Sequence, residues 1–256
     1  MRKQETDNWK SPPADSSKRW LNKSMEMQIL LACNWHCIAC DQGSQFGSFD
    51  FVRKGTMSIE QVRHFIAEMK NENAFVGRVR VMGGEPTVHP HFQSIIELLH
   101  RELVLTNHVF CLEIVSNGSH KDRIESVKSM IKARISGNNV KQSTHVANLI
   151  HTPQSLGYEG RVCSAPWHCG FSLNAFGYFP CSSGAGIARF EDWMKWQRST
   201  LPSCVKPCNA VWETWPDLQE LCGHCYHGLR DEDKVRCGTS DESRNQPGDH
   251  IKPKID

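Results

Sequence analysis

Apolar positions in the first half of the chain follow two alternating rhythms, short extended-type runs and longer stretches with helical spacing. Residues 27–32 read as a first strand. Downstream, Ile59, Val62, Phe65, Ile66 and Met69 recur at intervals of three and four, and Ser58 with Gln61 gives a capping-box start, so a helix is predicted. Residues 78–82 form a second strand, Phe92, Ile95, Ile96, Leu99 and Leu103 mark a second helix, and residues 109–115 form a third strand. Ile124, Val127 and Ile131 suggest a third helix. Strands that alternate with helices in this way predict a parallel sheet with helical crossovers. Residues 138–156 mix Asn, Gln, Ser, Thr and His without a clear period, and residues 174–179, with Gly177 among them, fit a β-hairpin.

The predicted strand ends carry the polar chemistry, which is where parallel α/β folds place their ligands. The first strand delivers Cys33, Cys37 and Cys40 in a CxxxCxxC run. A four-iron cluster held by three thiolates keeps one iron without a protein ligand, and that position can bind a small molecule. Half of a zinc site is the alternative for such spacing. The second strand ends on Gly83, Gly84 and Glu85, where the lack of Cβ atoms allows a close backbone approach and a carboxylate stands ready for a cationic amine. The third ends on Ser116, Asn117 and Gly118.

The cysteine run and the glycine-rich stretch, in this order along the chain, resemble the radical S-adenosylmethionine (SAM) superfamily. The resemblance implies a partial (β/α)6 TIM-like barrel, open on one side and either full or shortened. It also implies a [4Fe-4S] cluster on Cys33, Cys37 and Cys40 that binds SAM, with Gly83, Gly84, Glu85, Ser116 and Asn117 lining the cofactor. Ala39 stands where the superfamily usually has an aromatic residue that contacts the adenine. An electron donor such as flavodoxin or ferredoxin is implied as a partner.

A second cysteine-rich region begins at Cys163. The stretch from Cys163 to Cys181, ending in Gly177-Tyr178-Phe179-Pro180-Cys181, resembles the opening of the auxiliary-cluster modules called twitch and SPASM domains. In the twitch pattern Cys163, Cys181, Cys222 and Cys225 would hold one further [4Fe-4S] cluster, with Cys169, Cys204 and Cys208 as alternates. A four-cysteine zinc knuckle needs similar pairs and stays open on spacing alone. The expected organisation is an N-terminal segment over residues 1–24, expected to be flexible, a barrel core over 25–160, an auxiliary-cluster region over 161–228 and a polar tail over 229–256. Cys111, inside an apolar run, reads as a small buried hydrophobe.

Composition narrows the function. The 256 residues carry a net charge of +2 with 39% hydrophobic residues, enough for a sizeable core and without a basic footprint for nucleic acid. No apolar stretch suggests a signal peptide or membrane span, so a cytoplasmic protein is expected. Twelve cysteines in such a chain favour metal binding over disulfides. The expected function is reductive cleavage of SAM to a 5′-deoxyadenosyl radical that takes hydrogen from a substrate, with an auxiliary cluster that moves electrons or anchors the substrate. Oxidation or modification of a small molecule is favoured, as in a twitch-bearing relative that oxidises an aminocyclitol alcohol. A peptide-modifying maturase, or a non-enzymatic zinc- or iron-sulfur-binding interaction protein, is the alternative. No catalytic acid, base or nucleophile stands out.

Overall fold

The computed structural model describes residues 17–34, 55–135, 157, 165–188, 193–202, 215 and 217–225. Among them one mixed sheet holds six strands in the order β4-β3-β2-β1-β5-β6. β1 (Arg19–Leu30), β2 (Ala74–Gly83), β3 (Val109–Ser116) and β4 (Ile131–Ile135) are parallel, and β5 (Ser172–Asn174) runs parallel to β1 on its other side. β6 (Gly177–Phe179) closes an antiparallel hairpin with β5. Three helices make the crossovers: α1 (Ile59–Asn71), α2 (Phe92–Leu99) and α3 (Lys121–Val127).

Helix α1 forms as its sequence predicts. Ser58 Oγ accepts from the Gln61 N–H at 3.1 Å and the Gln61 side chain accepts from the Ser58 N–H at 2.8 Å, which satisfies two amides that the first helical turn leaves open. Its apolar stripe, Val62, Phe65, Ile66 and Met69, packs with α2 over the same face of the sheet, against Met25, Met27, Ile29, Val79 and Val81. Burying each large side chain there is worth roughly 1.5–3 kcal/mol. At the end of α2 the helix widens over His100–Val104, and the wider turn keeps Leu103 in the core.

Three sequence expectations need correction. β1 starts at Arg19 and pairs with β2 from Arg19↔Ala74 onward, so the strand crosses the boundary expected between residues 24 and 25. Leu21 is buried on the way. Ile131 does not extend a third helix: α3 stops at Val127, and Ile131 opens β4, paired with Leu112. The hairpin is present where expected, but it is not a detached unit, because Glu26↔Ser172 and Met27↔Leu173 join it to the main sheet. The boundary expected between residues 160 and 161 lies outside the described residues.

Short helices follow the hairpin: α5 (Ser182–Ala188), α6 (Trp193–Trp196) and α7 (Leu218–Gly223), after α4 (Ala165–His168) has led into β5. The hairpin is tied to α1, since Tyr178 Oη donates to Glu68 at 2.6 Å and the Leu201 N–H donates to the same carboxylate at 3.0 Å. Burial, reinforced by Glu68, pushes the Tyr178 phenol well above its ordinary range, so it serves as a donor at every ordinary pH.

Candidate active site

Backbone hydrogen bonds assemble the carboxyl ends of the strands. The Gly84 N–H donates to Leu30 O at 2.7 Å and the Glu85 N–H to Ala32 O at 2.9 Å, so the end of β2 fixes the point where the cysteine loop leaves β1. The chain returns beside the same strand, where the Leu31 N–H donates to Gly55 O and the Met57 N–H to Ile29 O. Gly83 has φ +145°, and a Cβ there would stand 2.0 Å from Leu30 O; one on Gly84 would stand 2.0 Å from Ala32 O. Both glycines are therefore required by the backbone of residues 30–32, which lies against them where the cysteine loop begins.

Glu85 is fully buried. Its Oε1 accepts from the Thr87 N–H at 3.0 Å, Thr87 Oγ1 at 2.5 Å and Ser116 Oγ at 2.8 Å, and its Oε2 accepts from the Asn117 N–H at 2.6 Å. Four donors converge on one carboxylate, so in this structure Glu85 locks the β2 end to the β3 end. Its expected place facing a ligand amine is turned inward. Ser116 is also engaged internally, accepting from the Gly118 N–H at 3.0 Å. Asn117 does face the cysteine loop: its Nδ2 lies 3.9 Å from Cys33 Sγ and donates to Asn34 Oδ1 at 2.9 Å. Asn34 in turn donates to Ser119 Oγ at 2.8 Å.

Cys33, Gly83, Gly84, Glu85, Ser116 and Asn117 thus meet at the ends of three adjacent parallel strands. Cys37 and Cys40 lie outside the described residues. Beneath the cluster of loops, buried His89 accepts from the His91 N–H through Nδ1 at 3.0 Å and donates through Nε2 to Met57 O at 2.9 Å. Burial lowers its pKa, with the neighbouring His91 and Arg123 adding to the effect against the Met57 bond. Arg123 closes the loop from the other side, donating to Thr87 O and His89 O.

Residues 27–140 match the family model of the Radical SAM superfamily. The matched stretch is somewhat under half of the chain. The match contains all three cysteines of the CxxxCxxC run and the glycine-rich and Ser116-Asn117 segments, and it ends before Cys163. Among solved structures, the crystal structure of BtrN in complex with AdoMet and 2-DOIA is similar at 12% identity and a TM-score of 0.48, covering 88% of this chain and 92% of that one. No curated protein matches the sequence.

Beyond the matched stretch, Cys181 stands at the start of α5, and its Sγ accepts from the Gly184 N–H at 3.2 Å. α5 packs against α7, which carries Cys222, and Cys225 follows with its N–H donating to Cys222 O at 3.1 Å. A Cβ at position 184 would meet both Cys181 Sγ and the Leu221 side chain, so Cys181 lies close to the helix that bears Cys222. Among the described residues no group of three or more Cys, His, Asp or Glu side chains is set to hold a metal ion. Cys163, Cys204 and Cys208 lie outside them. Cys169 sits against Arg80 and Glu26 on the sheet, where burial and then Glu26 raise its thiol pKa against the pull of Arg80.

The sequence reading missed the sheet face opposite the helices. There Arg80 donates to Glu26 at 2.7 Å and to Glu113 at 2.9 Å, and Arg78 donates to Glu113 at 2.8 Å. Burial works against the charge of Arg80, but Glu26 and Glu113 outweigh it and raise its pKa; burial and Arg80 lower that of Arg78 against Glu113. Guanidinium groups stay charged through such shifts. Nearer the strand ends Gln28 donates to Ser182 Oγ at 2.7 Å and accepts from Asn174 at 3.3 Å, which seats α5 on β1 and β5. The usable signal was period two: Glu26 and Gln28, Arg78 and Arg80, and Cys111 and Glu113 alternate with apolar neighbours.

Proposed function

We propose that this protein is a radical SAM enzyme whose first cluster is held by Cys33, Cys37 and Cys40. The supporting observation is the meeting of Cys33, the Gly83-Gly84-Glu85 segment and Asn117 at adjacent strand ends within the matched stretch. The donor set fits the group: three thiolates suit an iron-sulfur cluster and not a hard cation, and the Asn117 amide supplies a hydrogen-bond donor toward Cys33 Sγ. When bound, the cluster and SAM supply a one-electron cleavage that gives methionine and a 5′-deoxyadenosyl radical able to take hydrogen from a substrate.

The chain's own groups prepare that site. The Gly84 and Glu85 amides fix where the cysteine loop begins, and the Glu85 carboxylate holds the β2 and β3 ends in register. Asn117 orients the Cys33-Asn34 step. Cys163, Cys181, Cys222 and Cys225 are proposed to hold an auxiliary cluster that accepts an electron from the substrate radical or anchors the substrate. The amide donor on Cys181 and the packing of α5 on α7 favour this set. A small-molecule oxidation or related modification is the proposed reaction, with flavodoxin or ferredoxin as the electron donor.

Anaerobically reconstituted protein is expected to be brown, to contain iron and sulfide, and to release 5′-deoxyadenosine from SAM on reduction. Replacing Cys33, Cys37 and Cys40 together by Ala should abolish the release. Colourless, zinc-loaded protein that leaves SAM intact would favour a non-catalytic metal-binding role instead.

A further inference from the structure

Two asparagines join the end of β3 to the start of the cysteine loop. The Ser119 N–H donates to Asn117 Oδ1 at 2.9 Å, and since a backbone amide can donate only to the oxygen, the orientation of the Asn117 amide is settled. Its nitrogen end faces the cysteine loop. One Nδ2 hydrogen goes to Asn34 Oδ1 at 2.9 Å, and Cys33 Sγ lies 3.9 Å from the same nitrogen, within reach of the other hydrogen. Asn34 closes the ring, because its own Nδ2 donates to Ser119 Oγ at 2.8 Å.

The backbone beneath is fixed as well. The buried Glu85 carboxylate accepts from the Asn117 N–H at 2.6 Å, and this main-chain bond survives replacement of the Asn117 side chain. Gly118, at φ +77°, turns the chain so that the Ser119 amide comes back to the Asn117 side chain. Both ends of the Asn117 amide are thus engaged within the protein, one on this turn and the other on the Cys33-Asn34 step. A donor held against a cluster thiolate has a definite electrostatic effect. Reduction adds negative charge, part of which falls on the sulfurs, so an N–H aimed at one of them stabilises the reduced form more than the oxidised form. The potential rises.

We propose that Asn117 is a positioning residue that raises the reduction potential of the first cluster by donating to the Cys33 thiolate, with Asn34 and Ser119 holding its amide in place. It acts on the cluster ligand and is not a contact for SAM. The inference rests on the radical SAM reading and concerns the electron supply to that site, since a higher potential makes the cluster easier for its electron donor to reduce.

The test is a redox titration followed by electron paramagnetic resonance on full-length, anaerobically reconstituted protein, first without SAM and then with it. The first cluster is the one whose signal is lost when Cys33, Cys37 and Cys40 are replaced together by Ala. Asn117→Ala should lower its midpoint enough to raise the oxidised-to-reduced ratio at a fixed potential by about threefold or more, while SAM perturbs the signal at the same concentration as in the wild type. Asn34→Ala keeps the donor and removes one of its anchors, so its shift should have the same sign and be smaller. Gln93→Ala, an exposed amide on α2, should leave the midpoint unchanged. An unchanged midpoint in Asn117→Ala overturns the proposal, and weaker SAM binding at that unchanged midpoint would make Asn117 a SAM contact instead. If Asn117→Ala assembles no cluster, Asn34→Ala decides: a lowered midpoint supports the proposal and an unchanged one overturns it. A cluster that ignores SAM but shows the shift removes the radical SAM reading and leaves the role of Asn117; a cluster that responds to SAM without the shift removes only that role.

Discussion

The two faces of the central sheet are built from alternate residues of the same strands and are held by different forces. One face sets Met25, Met27, Val79, Val81, Leu112 and Ile114 against helices and gains from the removal of apolar surface from water. The other sets Glu26, Arg80, Glu113 and Arg78 in a chain of ion pairs whose side chains are only 6–12% exposed. Desolvating such ions costs about what their attraction returns, so a buried pair of this kind contributes little net stability. The apolar face therefore accounts for the fold. The charged face adds little to it.

Breaking one partner gives the largest effect. Arg80→Met removes an ion-pair partner from both Glu26 and Glu113 and should destabilise the protein by about 3–5 kcal/mol in denaturant titrations, comparable to Ile114→Ala on the apolar face at about 2–5 kcal/mol. Replacing Glu26, Arg78, Arg80 and Glu113 together by Met or Leu sharpens the contrast. That variant should be between neutral and about 1–4 kcal/mol more stable than the parent. If it is as unstable as Arg80→Met, the charged face is a stability device and the contrast between the faces fails.

Glu85→Gln tests the strand ends, where both faces meet. An amide there turns one acceptor into a donor against N–H and O–H groups that already point inward, which should cost about 1–3 kcal/mol. Iron binding by the first cysteine run should weaken with it, because the loop loses its fixed starting point.

The smallest effect is on pH dependence. Burial lowers the pKa of His89 below its ordinary 6.5, and burial likewise lowers that of His108, so the unfolded chain takes up protons first as the pH falls. Stability from these groups is fully present above about pH 6.5 and declines below it, toward the folded-state value. Denaturation midpoints should therefore be lower at about pH 5.5 than at about pH 7.5, and His89→Gln should flatten the difference. An unchanged slope in that variant would show that His89 is not buried in its neutral form.

Local chemistry was legible where a short stretch decides its own structure. The Ser58-Gln61 box, the apolar stripe of α1, the cores of β2 and β3 and the turn around Gly177 all follow from neighbouring residues. What sequence did not show depends on distant partners. Asn22, Ser24, Glu26 and Gln28 look unlike a core strand, yet β1 spans them because β2 and β5 supply its hydrogen bonds and Arg80, Ser182 and Asn174 engage Glu26 and Gln28. Ile131 fits a helical interval with Val127, but pairing with β3 claims it for β4. At the strand ends, Cys33 and Asn117, named from separate segments of sequence, lie side by side. The four donors to Glu85 come from Thr87 and from the end of another strand, so its engagement could not be read from its neighbours alone.

The claim on which the rest depends is that Cys33, Cys37 and Cys40 hold a cluster with one iron open to SAM. Electron-nuclear double resonance on the reduced, reconstituted protein, with SAM isotopically labelled at its amino nitrogen, tests it most directly. Coupling between the label and the cluster spin is predicted. A fully formed cluster that shows no coupling to the label contradicts it.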